Sequence, residues 1–124
     1  MSFSQNEFRA ELLKLMPGYS WTVNSARCSD AYLVATGVQT SGMNRLSTLH
    51  VERRDNYAAS GLARYEVKSA GFGKRAAWLH STAETTLARA LRDLQNHYER
   101  EASKFSSHAN ALRTGRSATA QEGL

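Results

Sequence analysis

The chain is short of the residues that cross-link or interrupt structure. One cysteine, Cys28, permits neither an internal disulfide nor a multi-cysteine zinc site, and is the usage expected of an intracellular, cytoplasmic chain. The one proline, Pro17, stands beside Gly18 and marks a single strong break. No apolar run approaches the roughly 20 residues needed to span a bilayer, which excludes a helical membrane protein. The opening MSFSQNEF has no basic stretch followed by an apolar one, so no secretory signal is expected. Acidic residues are outnumbered, 11 against 16 basic ones, for a net charge of +5.

What remains is a 124-residue chain, 41% hydrophobic, of a size for one core. Twelve of its cations are arginine. The planar guanidinium binds phosphate and carboxylate through paired hydrogen bonds, and counterion release favours a polyanionic partner. Acids are interleaved along most of the chain, so the charge is not gathered into one basic stretch.

The first element is a helix. Ser4 is placed as its N-cap, Glu7 completes a capping box, and Phe3 with Phe8 fits a hydrophobic staple. Phe8, Leu12, Leu15 and Met16 form one apolar stripe, and Pro17-Gly18 ends it. Three or four strands follow. Tyr19, Trp21 and Val23 alternate with polar residues. Residues 31–38 (AYLVATGV) are apolar on both faces and are expected inside the sheet. Residues 43–54 (MNRLSTLHVERR) form the longest strand, with a phase slip between Leu46 and the Leu49/Val51 pair that predicts a bulge or a bend. Ala63, Tyr65 and Val67 alternate with Arg64, Glu66 and Lys68 in a last strand with one wet face.

The stretch 71–80 (GFGKRAAWLH) then leads into a long final helix, with Ser81 and Glu84 as a second capping box. Leu87, Leu91, Leu94, Tyr98, Ala102 and Phe105 keep helical spacing along it. Gly115 is its expected stop if it continues past Phe105. The sequence therefore predicts an α+β domain of order α-β-β-β(-β)-α: a three- or four-stranded antiparallel sheet packed on two helices. Residues 3–105 form this single domain, and 106–124 a helix extension or disordered polar tail.

Residues that could carry chemistry are few. In the 71–80 stretch two glycines allow close approach of backbone to a ligand. Lys74 and Arg75 supply charge, and a predicted helix N-terminus lies just downstream. That combination is a physical anion site. It is not a P-loop, since GFGKR lacks the spacing and the hydroxyl. Phe72 lies between the glycines, where it serves either a partner or the core, and Trp78 is expected in the core. On the final helix Arg92, Asn96, Arg100 and Lys104 recur every fourth residue, with Arg89 beside them. Arg53 and Arg54 add cations on a strand. Asp93, His97 and Glu101 share a helix face, but no cysteine or second histidine joins them, so no metal or other cofactor is expected. Nothing ties Cys28 to a base, and Glu52 and Glu66 are expected to form cross-strand ion pairs with Arg54, Arg64 and Lys68. No enzyme is predicted.

In outline, α-β-β-β-α with a basic turn before the last helix resembles the double-stranded-RNA-binding domain, over roughly residues 3–98. The resemblance implies phosphate contacts from the basic cluster. In that family the cluster opens the second helix. Here the matching turn is Ser81-Thr-Ala-Glu-Thr-Thr, and GVQTSGMNR lacks the family's Gly-Pro-His-type loop. A small domain with no catalytic constellation and much Arg, Ala and Ser also resembles the accessory proteins of bacteriophages and mobile elements, among them anti-CRISPR inhibitors. The expectation is a binding protein that engages nucleic acid or a host nucleoprotein complex and no membrane. The competing expectation is a structural or regulatory protein that dimerises through its long C-terminal helix.

Overall fold

The first helix, α1 (Gln5–Leu15), starts where its punctuation places it. The Glu7 amide donates to Ser4 Oγ at 3.1 Å and the Ser4 amide donates to Glu7 Oε1 at 3.1 Å, so two of the helix's orphan donors are satisfied reciprocally. Phe8 and Leu12, one turn apart, are fully buried. Met16 caps the C-terminus, its amide bonded to the Leu12 carbonyl at 2.8 Å. The computed structural model describes residues 4–24, 32–55 and 61–122, with side chains to residue 117. The Phe3 staple and the Cys28 loop lie outside the described residues.

Five strands follow: β1 (Ser20–Asn24), β2 (Tyr32–Ser41), β3 (Asn44–Arg54), β4 (Arg64–Ala70) and β5 (Trp78–Glu84), before α2 (Leu87–Glu122). They form one antiparallel sheet in the order β1-β2-β3-β4-β5, each strand beside its neighbour in the chain. The fold is α+β. β2 is interior, as its apolar run predicts. The phase slip at Leu46 is a bulge: Gln39 faces Ser47 and Thr40 faces Arg45, leaving Leu46 as the extra residue.

By contacts the chain divides into two units, Met1–Leu94 and Gln95–Leu124, the division falling inside α2. In the first, one face of the sheet carries Trp21, Leu33, Ala35, Leu49, Val51, Tyr65 and Val67, all buried, together with Phe8, Leu12, Leu87, Ala90 and Leu94 from the helices. Full burial of such side chains contributes roughly 1.5–3 kcal/mol each, which makes this the main support of the fold. Hydrogen bonds lock the helices onto that face. Trp21 Nε1 donates to the Met16 carbonyl at 3.0 Å, Tyr65 Oη donates to Glu11 Oε1 at 2.8 Å, and Thr82 Oγ1 donates to the Ala90 carbonyl at 2.7 Å. Gly37 is directly opposite Trp21, and a Cβ there would lie 2.7 Å from the indole. Only glycine leaves room for the ring.

The expected three or four strands are five, and the extra one changes the reading of residues 71–86. The stretch 71–80 is no strand-to-helix connection. It turns β4 back into β5, with Gly73 at a φ of 108° and its amide bonded to the Arg45 carbonyl at 2.9 Å. β4 is therefore not the last strand, and Ser81 and Glu84 form no capping box, because both lie within β5. Thr86 caps α2 instead, accepting from the Arg89 amide at 3.3 Å. β5 escapes sequence reading because it is a half-exposed edge strand with no apolar alternation, while Ser81 and Glu84 happen to have capping-box spacing. The α-β-β-β-α outline shared with double-stranded-RNA-binding domains does not hold, since the turn expected to open the second helix is strand. α2 does not stop at Gly115. It runs 36 residues, about 54 Å at 1.5 Å per residue.

Candidate interaction surface

α1 and the first turns of α2 engage one face of the sheet, and on the other the charged side chains of β3 and β4 stay half-exposed. Antiparallel register arranges its charges in rows. On β3 and β4, Arg54 faces Arg64, Glu52 faces Glu66 and His50 faces Lys68. Like charges therefore stand across the strands and unlike charges alternate along them. The ion pairs follow the strands: Glu52 with Arg54 at 3.5 Å and with His50 at 3.1 Å, and Glu66 with Arg64 at 3.4 Å. This corrects the cross-strand pairing expected for Glu52 and Glu66. The residue types alternate as predicted, but the register sets like opposite like.

Aromatic rings frame these rows. Arg54 stacks over the Tyr32 ring at 4.5 Å, and Tyr32 Oη donates to Glu52 Oε1 at 2.9 Å. Lys68 Nζ sits 4.7 Å from the centre of the Trp78 ring, and the His50 ring lies 5.9 Å from it. Burial pushes the Glu52 carboxyl up, but hydrogen bonds to Tyr32 and His50, with the charges of His50 and Arg54, outweigh it and hold the group below the usual carboxylate range. Burial, reinforced by Glu52, raises the Tyr32 hydroxyl. A depressed carboxylate contributes stability above its unfolded pKa, lost as pH falls through the folded one. The Glu52 network thus loosens in acid.

The β4–β5 turn is the exposed element next to this face. Phe72 is 69% exposed, and Lys74 and Arg75 are exposed and make no ion pair among the described residues. Trp78, expected in the core, is 47% exposed because it opens an edge strand and points to the uncovered side. A second bulge sets Ala70 opposite Trp78 and Ser69 opposite His80, so Leu79 is extra and exposed. The predicted helix N-terminus beside Lys74 and Arg75 is not there. α2 begins after the far end of β5, about 20 Å of strand away. An anion at this turn would meet side chains and turn amides without a helix dipole.

The other predicted site residues divide. Arg53 faces the helices, its side chain 11% exposed, donating Nε to Tyr65 Oη at 2.9 Å and ion-paired to Asp55. These contacts hold it on the covered side of the sheet. Arg54 is on the open face but engaged by Glu52 and Tyr32. Arg89 and Arg92 are exposed in the part of α2 that belongs to the first unit. Arg100 is exposed in the second unit, where His97 packs edge-on against Tyr98 at 5.3 Å. Sequence reasoning missed Tyr32, His50, Lys68 and Trp78 as surface partners. The signal was present for three of them. Tyr32, His50 and Lys68 share strand parity with the charged residues of their own strands or their cross-strand neighbours.

Comparison with protein families, curated proteins and solved structures finds no match. Among the described residues no helix is long and apolar enough to cross a membrane.

Proposed function

We propose that the protein is a non-catalytic binding module for nucleic acid, free or within a nucleoprotein complex, and that the β4–β5 hairpin carries the contact. The observation behind this reading is the composition of that hairpin. Phe72 and Trp78 are exposed rings, Lys74 and Arg75 are cations without acidic partners among the described residues, and Lys68 lies against Trp78. Exposed aromatics stack on bases while neighbouring cations meet phosphates, which is how single-stranded nucleic acid is held without sequence readout. Arg89 and Arg92 are further phosphate contacts in the same unit. Such a module acts by occupying a target, as the small anti-defence inhibitors of mobile elements do, and cytoplasmic residence fits its single cysteine.

The test is anisotropy of labelled DNA and RNA oligonucleotides across a salt series. The logarithm of affinity should fall linearly with that of salt. Lys74→Ala/Arg75→Ala should reduce the slope by about 2 and the affinity at least tenfold, with unchanged circular dichroism. Equal binding by the double variant would remove the hairpin from the reading.

A second reading, self-association through α2, is favoured by Phe105 and Leu112, which are 64% and 61% exposed on that helix.

A further inference from the structure

From residue 102 to residue 117 every side chain of α2 is exposed. Such a helix has little to hold it. Its side-chain contacts include the pairs Gln95–Glu99, Glu101–Lys104 and Asn110–Arg113 and the ring contacts His97–Tyr98 and Lys104–Phe105, all between residues near in sequence. Ser, His, Asn, Thr and Gly, all weak helix formers, recur between 106 and 115. Within this polar run the apolar residues are not scattered. Tyr98, Phe105 and Leu112 fall on every seventh position, and Ala102 and Ala109 follow the first two by four. That is the core repeat of a two-stranded coiled coil, with a large side chain at one core position and alanine at the other.

We infer that α2 pairs antiparallel with α2 of a second copy of this chain, an inference that rests on the self-association reading. Two features of the chain select this occupant and this direction. Glu99 and Arg113 occupy equivalent flanking positions, seven residues on either side of Ser106. An antiparallel pair with its twofold axis level with Ser107 brings Glu99 beside the partner's Arg113, and by symmetry Arg113 beside the partner's Glu99. The same alignment sets Ala102 against the partner's Leu112 and Ala109 against the partner's Phe105, so each large side chain fills the space above a small one. A parallel pair does neither. It stacks phenylalanine on phenylalanine and alanine on alanine, and brings His108 against the partner's Arg113.

Sedimentation velocity on the full chain should show a dimer that dissociates on dilution. Phe105→Asp, an exposed position whose loss leaves the sheet unit intact, should give a monomer with unchanged near-ultraviolet circular dichroism. Glu99→Arg should weaken the dimer at least tenfold, and Glu99→Arg/Arg113→Glu should restore it. For direction, Asn96→Cys in a Cys28→Ser background is spin-labelled. The antiparallel pair separates the two labels by about 33 Å along its axis, whereas a parallel pair brings them level. A monomer at every concentration overturns self-association and the pairing together. A dimer with level labels, or one that the double charge swap fails to restore, overturns the antiparallel pairing and leaves self-association standing.

Discussion

Glu52 on β3 lies directly opposite Glu66 on β4, with Arg54 opposite Arg64 beside them. Each strand neutralises its own charges lengthwise, so the sheet tolerates a register that sets like against like. Like charges directly opposite each other are destabilising at close range, and partial exposure leaves this repulsion sensitive to salt.

Glu66→Gln should therefore raise stability, by about 0.5 kcal/mol at low salt. It keeps an acceptor for Arg64, 3.4 Å away, and removes the repulsion. Urea denaturation at low and high ionic strength checks this, and the gain should shrink as salt rises.

The opposition of Gly37 and Trp21 allows no side chain. Gly37→Ala places a methyl 2.7 Å from the indole carbons, and β1 must shift or the ring must leave its site. A loss of about 1–3 kcal/mol is expected, with altered tryptophan fluorescence. Chemical denaturation followed by that fluorescence measures both.

Tyr65 gives the fold an alkaline limit. Burial pushes its hydroxyl up to about 12, with the Glu11 carboxylate adding to the rise and Arg53 opposing it. The folded chain holds this proton more tightly than the unfolded one, whose tyrosine titrates near 10. The stabilisation is therefore fully present below about pH 10 and disappears between about 10 and 12, a loss on the order of 2–3 kcal/mol. Denaturation midpoints across that window should fall for the parent chain and fall less for Tyr65→Phe, and tyrosinate absorbance should show a late-titrating group that Tyr65→Phe removes.

The position of the second helix start is open to a paired substitution. Thr86→Ala removes the hydroxyl that accepts from the Arg89 amide and should cost about 1 kcal/mol. Ser81→Ala, on an exposed strand position, should change stability by less than about 0.5 kcal/mol. Thermal melts of the two variants distinguish a helix opening at Leu87 from one opening at Thr82.

The legible parts of this chain are those in which local chemistry and tertiary packing agree. α1 carries its own cap, stripe and stop, and Leu46 betrays its bulge through a break in alternation. β5 was illegible because edge pairing, supplied by β4, made a strand of WLHSTAE, while the Ser81/Glu84 spacing argued for a helix. That one misplacement accounts for two errors at the candidate site: the helix dipole assigned to Lys74 and Arg75, and the buried position assigned to Trp78. The placement of Arg53 is not legible for another reason. It stands next to Arg54 in sequence, but strand alternation sends the two to opposite faces, and only the tertiary fold says which face is covered.

The strand order has a kinetic consequence. Every strand pairs with the strand that precedes it in the chain, so the sheet can lengthen one hairpin at a time, each closing only a short loop. The α1 contacts form at two ranges: Trp21 of β1 bonds the Met16 carbonyl five residues away, and β4 is reached last. Glu11 must wait for Tyr65, 54 residues later, before its hydrogen bond can form. During synthesis α1 and β1 emerge together, while the link between α1 and β4 waits for the fourth strand. That link closes a longer loop than any hairpin of the sheet, so it is expected to form late in folding.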